Sequence, residues 1–357
     1  MNNRMDYKIV GIMSGTSLDG LDLALVHFKK KTENESWKFE LLATSTISYP
    51  DELAIRLKEA IHETRPEISS LDIELGKYIG EQVKQFLNRT ERKADLVASH
   101  GHTIFHQPDK GITLQIGSGE EIYRITSLPV VYDFRQADVR AGGQGAPLVP
   151  IGDRDLFADY EMALNLGGIA NISFDRNGKR QAFDICPFNM VLNDLAAEAN
   201  LKFDDRGLLA SQGKVQKNLF YQLNEISYLS KNAPKSLGLE DYLSDWQPLL
   251  RKSGLSLEDK MATCVEHLAH QISLVIRQAN KAKVLVTGGG AYHDFFISRL
   301  RNFTLAEIVI PNQDIIEFKE ALVFAYLGLL RLQNIPNCLS SVTGAPFDVC
   351  GGEIIGL

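Results

Sequence analysis

Three short, almost unbroken apolar stretches open the chain: YKIVGIM at 7–13, LDLALVHF at 21–28 and WKFELLATSTI at 38–48. Runs of this length, rich in β-branched and aromatic residues, predict strands. The SGTSLDG turn between the first two is short enough for an antiparallel hairpin. The period then changes. Leu53, Leu57, Ala60 and Ile61 share one stripe within 51–65, and Leu71, Leu75, Ile79, Val83, Phe86 and Leu87 share another within 70–88. Both spacings predict helices, and Ser69 with Asp72 is spaced like a capping box. Short apolar runs follow at 94–101 (ADLVASHG), 113–117 (TLQIG) and 129–134 (PVVYDF).

Beyond the Gly/Pro cluster AGGQGAPLVP (141–150) the pattern restarts. EMALNLGG (161–168) predicts a strand ending in a glycine turn. ANISF (170–174) and RQAFDI (180–185) predict two more strands, and a helix begins near 189. Helices are predicted at 207–226 and 259–280, and a strand KVLVTG (283–288) runs into Gly288-Gly289-Gly290 and a helix. A last helix spans 317–333, while 231–252 is the least regular stretch. Strand, glycine turn, strand, strand, helix therefore occurs twice, a repeat of elements rather than identities. The economical architecture is α/β with two similar lobes around a cleft. The lobes are placed at 1–145 and 146–357, with the final segment, about 335–357, able to pack back on the first lobe.

Composition narrows the classes. The 357 residues are 44% hydrophobic and 23% charged, the balance of a globular chain large enough for two domains. A net charge of −7 gives no overall basic excess for a nucleic-acid backbone. No stretch approaches the roughly 20 apolar residues of a membrane helix, and MNNRMDYKIVGIMSG reads as a first strand rather than a signal peptide. Cys186, Cys264, Cys338 and Cys350 form no CxxC pair, so free thiols in a reducing cytoplasm are the simplest account.

Six segments carry candidate chemistry. In GIMSGTSLDG (11–20), a tight turn of small residues can point several backbone N–H groups at one anion, with Ser14, Thr16 and Ser17 as further donors. Asp19 is a candidate magnesium ligand through water. An ordinary hairpin turn has the same composition. NLGGIAN (165–171) repeats the layout at the start of the second half, so two loops are placed to grip a polyphosphate. It is neither a Walker loop nor a dinucleotide fingerprint. Asp184, at the end of a strand in FDICPFN, is a candidate general base or a cap for the helix after Pro187. VTGGGA (286–291) is a bare strand-to-helix turn, suited to a base or ribose, or to close packing. His100, His102 and His106 invite a zinc reading, yet they match no metal-ligand spacing and lack a nearby carboxylate or cysteine. His100 is better placed as a donor in the cleft. Arg135, in DFR, is suited to a two-pronged bond with a substrate carboxylate or to an interlobe salt bridge.

The blocks GIMSGTSLDGLDLAL, SHGHT, TLQIG, DFRQADVRAGGQGAPLVP, NLGGIANIS, FDICPFN, PKSLG, VTGGGA, EALVFAYL and SVTGA together resemble the anhydro-N-acetylmuramic acid kinase family over almost the whole chain. The resemblance implies a two-lobed actin-like/sugar-kinase (ribonuclease H-like) fold, ATP and magnesium as cofactors, and 1,6-anhydro-N-acetylmuramic acid as substrate. Water would open the anhydro bridge, and the freed 6-oxygen would take the γ-phosphoryl group in cell-wall recycling. It implies Asp184 and Glu320 as catalytic residues. Gly15, Thr16, Ser17, Leu18, Asp19, Gly20, Leu21 and Asp22 match the phosphate-binding stretch, with Gly167 and Gly168 opposite and Gly288, Gly289 and Gly290 on the nucleotide side. Ser14, His100, Arg135, Gln144 and Asn189 fall on the sugar side. A cytoplasmic homodimer is implied too. Two blocks depart: the family's DTGPGN reads DICPFN here, and its SHGQT reads SHGHT, with His102 for glutamine. The competing readings are a kinase of this fold for another sugar, a non-catalytic ATP-binding switch, and a nicotinamide oxidoreductase. The last lacks strand–GxGxxG–helix order.

Overall fold

A computed structural model describes residues 4–15, 18, 20–279 and 282–357. The chain divides into two compact units, Met1–Phe157 with Phe318–Leu357, and Ala158–Glu317. Strands of the first are β1 (Asp6–Ser14), β2 (Leu21–Lys29), β3 (Lys38–Ile47), β4 (Leu96–Ser99), β5 (His102–Gln107), β6 (Ile112–Ile116) and β7 (Val130–Tyr132). Those of the second are β8 (Met162–Leu166), β9 (Ile169–Arg176), β10 (Lys179–Pro187), β11 (Lys283–Thr287) and β12 (Glu307–Val309), after which β13 (Glu353–Ile355) belongs to the first.

In the first unit β1, β2 and β3 form an antiparallel meander, and β4 joins the free edge of β1 in parallel. Next come β7, parallel to β4, and β13, antiparallel to β7. The second unit repeats the scheme, with meander β8–β9–β10, then β11 parallel to β8 and β12 parallel to β11. The strand that opens each unit is therefore interior. That explains why Ile9, Val10 and Ile12 run apolar without alternation: all three are fully buried.

Helices complete each core. Leu71, Leu75, Ile79, Val83 and Phe86 of helix Arg65–Arg89 share a core with Leu23, Leu25, Val97 and Val130. Helix Gln313–Leu332, in which the boundary between the units falls, lies so close to β1 that a Cβ on Gly11 would sit 1.9 Å from the Ala321 carbonyl oxygen. In the second unit Met261, Val265, Leu268 and Ile272 of helix Leu257–Ile276 join Leu164, Leu166, Val284 and Val286.

Several expectations are corrected. The first lobe runs to Phe157 because helix Pro150–Leu156 docks there: Gly152 lies against Val323, and buried Asp153 pairs with Lys319 at 2.8 Å. The second unit ends at Glu317. Helix 70–88 begins earlier, at Arg65, where Thr64 N donates to the Glu67 carboxylate at 2.7 Å and forms the real capping box. Asp72 instead accepts from Gly117 N. The 51–65 helix stops at Glu59, followed by a 3₁₀ turn. The 207–226 helix is broken into Leu208–Gln212 and Lys217–Asn224, and between them a Cβ on Gly213 would sit 1.9 Å from the Glu258 carbonyl oxygen.

Candidate active site

The second unit sets Asp184 at a β-bulge. Asp184 opposes Asn171 and Cys186 opposes Ala170, so the extra residue falls between them and re-aims the strand end. The loop after Tyr228 then holds the aspartate. Leu237 N donates to its Oδ2 at 2.9 Å, its own N donates to the Lys235 carbonyl at 3.1 Å, and the buried Tyr228 hydroxyl donates to its carbonyl at 2.9 Å. Desolvation raises the Asp184 pKa, against the pull of the Leu237 amide and the Lys235 cation. Asp184 does not cap the next helix, whose N-cap is Phe188. The PKSLG segment, irregular by pattern, is thus part of the carboxylate's setting.

The NLGGIAN turn is fastened by that helix. Phe188 N and Met190 N donate to the Gly168 carbonyl at 2.8 and 3.1 Å, and Asn189 N donates to the Gly167 carbonyl at 3.1 Å. Asn189 Nδ2 is committed to the Leu166 carbonyl. Gly288 has φ +81, and a Cβ there would meet Asn165 Oδ1 at 2.6 Å. Gly290 has no room either, because Phe188 would lie 2.3 Å away. Gly168 and Gly289 differ: a Cβ on Gly168 would meet nothing within 4 Å, and one on Gly289 only Asn189 Nδ2, at 3.8 Å. Among the glycines of these two turns, those two present bare, open backbone. That fits a polyphosphate or a nucleotide, which needs close approach to N–H groups. The departures Ile185, Cys186 and Phe188 are core residues, and Phe188 stacks edge-on against Phe296 at 4.6 Å.

The first unit brings together His100, Arg135 and the GGQGAP loop. Arg135 Nε and Nη2 both reach His100 Nε2, at 3.1 and 2.9 Å, and Nη1 donates to the Gly145 carbonyl at 2.9 Å. One nitrogen facing two N–H donors must be an acceptor, so His100 is neutral. Burial first, then the Arg135 cation, hold its pKa well below the usual value. Desolvation brings Arg135 down to about 10, so it stays protonated at neutral pH. One edge of this guanidinium is therefore occupied by His100. Asp138, fully buried, ties the loop down: it accepts from Gly145 N at 2.7 Å and Thr343 Oγ1 at 2.8 Å. Gln144 is exposed on that loop, its N bonded to the Thr343 carbonyl and its amide to Asp109.

Ser14 is 1% exposed, and its hydroxyl pairs with His102 Nδ1 at 3.1 Å and Tyr49 OH at 2.7 Å, so it secures β1 rather than facing a ligand. The departure His102 is absorbed in that contact. His106 pairs with Thr113. The three imidazoles thus go to three separate partners, and among the described residues no group of His, Cys, Asp or Glu is arranged to hold a metal. Thr16, Ser17 and Asp19 lie outside the described residues. Around them, Leu18 N donates to the Gly15 carbonyl at 3.2 Å, Gly20 precedes the buried Leu21, and Asp22 accepts from Thr46 Oγ1. Glu320 follows the buried Lys319–Asp153 pair. Its side chain reaches solvent from crowded surroundings, and partial desolvation raises its pKa, aided by Asp22 and Asp153 and opposed by Lys319 and Arg135.

Beside His100, outside the carboxyl ends of parallel β4 and β7, lies a cavity of about 720 Å³, the usual ligand position in such sheets. The hairpin β5–β6, which no periodicity predicted in full, forms one wall.

Sequence reasoning missed Asp138, Tyr228, Lys235, Leu237 and the Lys319–Asp153 pair. Only DFRQAD and PKSLG signalled any of these, as motifs without a role.

Two α/β units that each open on an antiparallel meander, followed by parallel strands and a glycine turn, define the two-lobed actin-like/sugar-kinase class. The family model for anhydro-N-acetylmuramic acid kinase matches residues 7–355. Curated proteins of that name from Methylobacterium nodulans and Acidiphilium cryptum are each 34% identical, covering 97% of this chain and 98% and 97% of theirs. The one from Saccharophagus degradans is likewise 34% identical over 97% of this chain and 98% of its own. The chain belongs to this family, and with it to the kinases. A ROK hexokinase from Thermus thermophilus is 12% identical, covering 90% of this chain and 99% of its own, with a TM-score of 0.40, too loose a likeness to argue from. No helix among the described residues is long and apolar enough to cross a membrane.

Proposed function

We propose that this chain uses ATP and water to convert 1,6-anhydro-N-acetylmuramic acid to N-acetylmuramate 6-phosphate and ADP. Water adds at the anomeric carbon, the bridging C1–O6 bond breaks, and the 6-oxygen takes the γ-phosphoryl group. The observation that carries the reading is Asp184, a carboxylate positioned by three backbone and hydroxyl contacts at a bulge, in a chain that matches this family over residues 7–355. Leu237 N engages Oδ2, which assigns Oδ1 to the attacking water as general base.

ATP and Mg²⁺, when bound, supply the phosphoryl group and charge neutralisation for a loose transition state. Gly15 to Asp22, Gly167 and Gly168, and Gly288 to Gly290 would hold them, with Asp19 toward the metal through water. The open backbone at Gly168 and Gly289 fits that role. On the sugar side, the remaining N–H groups of Arg135 take the substrate carboxylate, His100 and Gln144 contact the sugar, and Glu320 is the second catalytic carboxylate. Asn189 holds the glycine turn through its Nδ2, and we assign it to substrate binding as well. We place the enzyme in the cytoplasm, as a homodimer, in cell-wall recycling.

An ordinary kinase reaction has no free 6-hydroxyl on this substrate to use. In ¹⁸O-labelled water, product analysed promptly in the cold should therefore carry label at the anomeric hydroxyl and none in the phosphoryl group. Label in the phosphoryl group would mean that water attacked ATP, and the reading would fall to a sugar-dependent ATPase switch.

A further inference from the structure

The substrate proposed above has two arms, a lactyl carboxylate and a neutral acetamido group, and the first unit offers two unlike places for them. One is Arg135, a cation. The other is the cavity beside His100, whose wall carries Asp72, Glu120 and Asp133 against the single cation Arg65. A wall with that excess of carboxylates, partly shielded from water, repels an anion. Ile68, Ile112 and Ile116, with Phe105 and Leu114 of the β5–β6 hairpin, give the wall an apolar part beside neutral polar groups such as Ser69 and Gln115.

We propose that this cavity takes the neutral N-acyl arm of the sugar, that Arg135 takes the carboxylate, and that the cavity accepts acyl chains longer than acetyl. The proposal rests on the function proposed above. His100 joins the two places, lining the cavity while its Nε2 is held by Arg135. It therefore borders both places, and a sugar ring seated beside it can send one arm to each. Size supports the longer chains. The cavity, about 720 Å³, lies within the roughly 300–1,000 Å³ that holds a whole small ligand, whereas acetamide is a handful of heavy atoms. An added methylene then has room beside the apolar part of the wall, at Phe105 and Leu114. A terminal carboxylate on the same arm meets Asp72, Glu120 and Asp133.

The test uses the full-length enzyme and three substrates that differ only at nitrogen: N-acetyl, N-butanoyl and N-succinyl anhydromuramic acid. The N-butanoyl compound should keep kcat/KM within tenfold of the N-acetyl parent, while the N-succinyl compound, of similar length, should fall at least a further tenfold. Leu114→Trp, which narrows the cavity, should lower the butanoyl-to-acetyl ratio of kcat/KM by tenfold or more. Rejection of the butanoyl arm by the natural enzyme, equal use of both long arms, or an unchanged ratio in the variant would overturn the proposal. If the parent compound itself is not turned over, the function proposed above fails first, and this inference with it.

Discussion

Asp184→Asn separates the fold from the chemistry. The amide keeps the side chain's shape and can still accept from Leu237 N, now as a neutral partner. Bonds to charged groups contribute about 1.5–3 kcal/mol and neutral ones about 0.5–1.5, so roughly 1 kcal/mol is lost there. The desolvation that raises the Asp184 pKa is relieved in the same step, since an amide carries no charge to dehydrate. The net stability change should stay within about 1 kcal/mol. Loss of a general base costs on the order of 10²–10⁴ in rate, or about 3–5 kcal/mol of transition-state stabilisation, so chemistry dominates. The sign of the pH effect follows from the raised pKa. The folded carboxyl stays protonated to higher pH than an ordinary aspartate, near 3.9, so wild-type kcat should fall at an acid limb above that value. Stability runs the other way: whatever the protonated group contributes is present below the unfolded pKa and lost as pH rises through the folded one. The asparagine variant should therefore lack the acid limb, and at neutral pH it should be about as stable as the wild type. ADP release at saturating ATP and sugar gives kcat, calorimetry gives ATP affinity, and denaturant melts give stability. Turnover within tenfold of wild type, with ATP affinity unchanged, would refute the assignment of Asp184 as base.

Two further substitutions probe the loops. Gly168→Ala should leave stability within about 0.5 kcal/mol, because the new Cβ meets nothing within 4 Å, yet raise the KM for ATP about tenfold or more. An unaltered KM would remove that turn from the nucleotide site. Arg135→Lys loses the paired approach to His100 Nε2 and the bond to the Gly145 carbonyl, and an ammonium cannot restore the planar fork. The KM for the sugar should rise at least tenfold with ATP binding little changed, and equal weakening of both ligands would instead assign Arg135 a purely structural role.

The local periods decided much. The largely apolar runs at 7–13 and 161–168 marked strands, and the sheet order then placed both in sheet interiors, where a strand with neighbours on both sides has few water-facing residues. The glycine turns and the family motifs were equally legible, because turn chemistry and motif order are written in consecutive residues, whereas Asp184 read as either a base or a helix cap until the structure gave the cap to Phe188. Only the tertiary structure decided what each polar group does with its bonds. Ser14 looked like a ligand donor and is occupied by His102 and Tyr49. Arg135 looked like an open fork and gives one edge to His100. Asp138 drew no attention, yet it ties the GGQGAP loop to Thr343 across more than 200 positions of chain. The first unit likewise runs past its expected end because helix Pro150–Leu156 docks against Val323 and Lys319. Side-chain spacing along the chain fixes which face of an element is apolar. A buried polar group must find its partner wherever the fold brings one within about 3 Å, and that distance is set by packing, not by sequence separation.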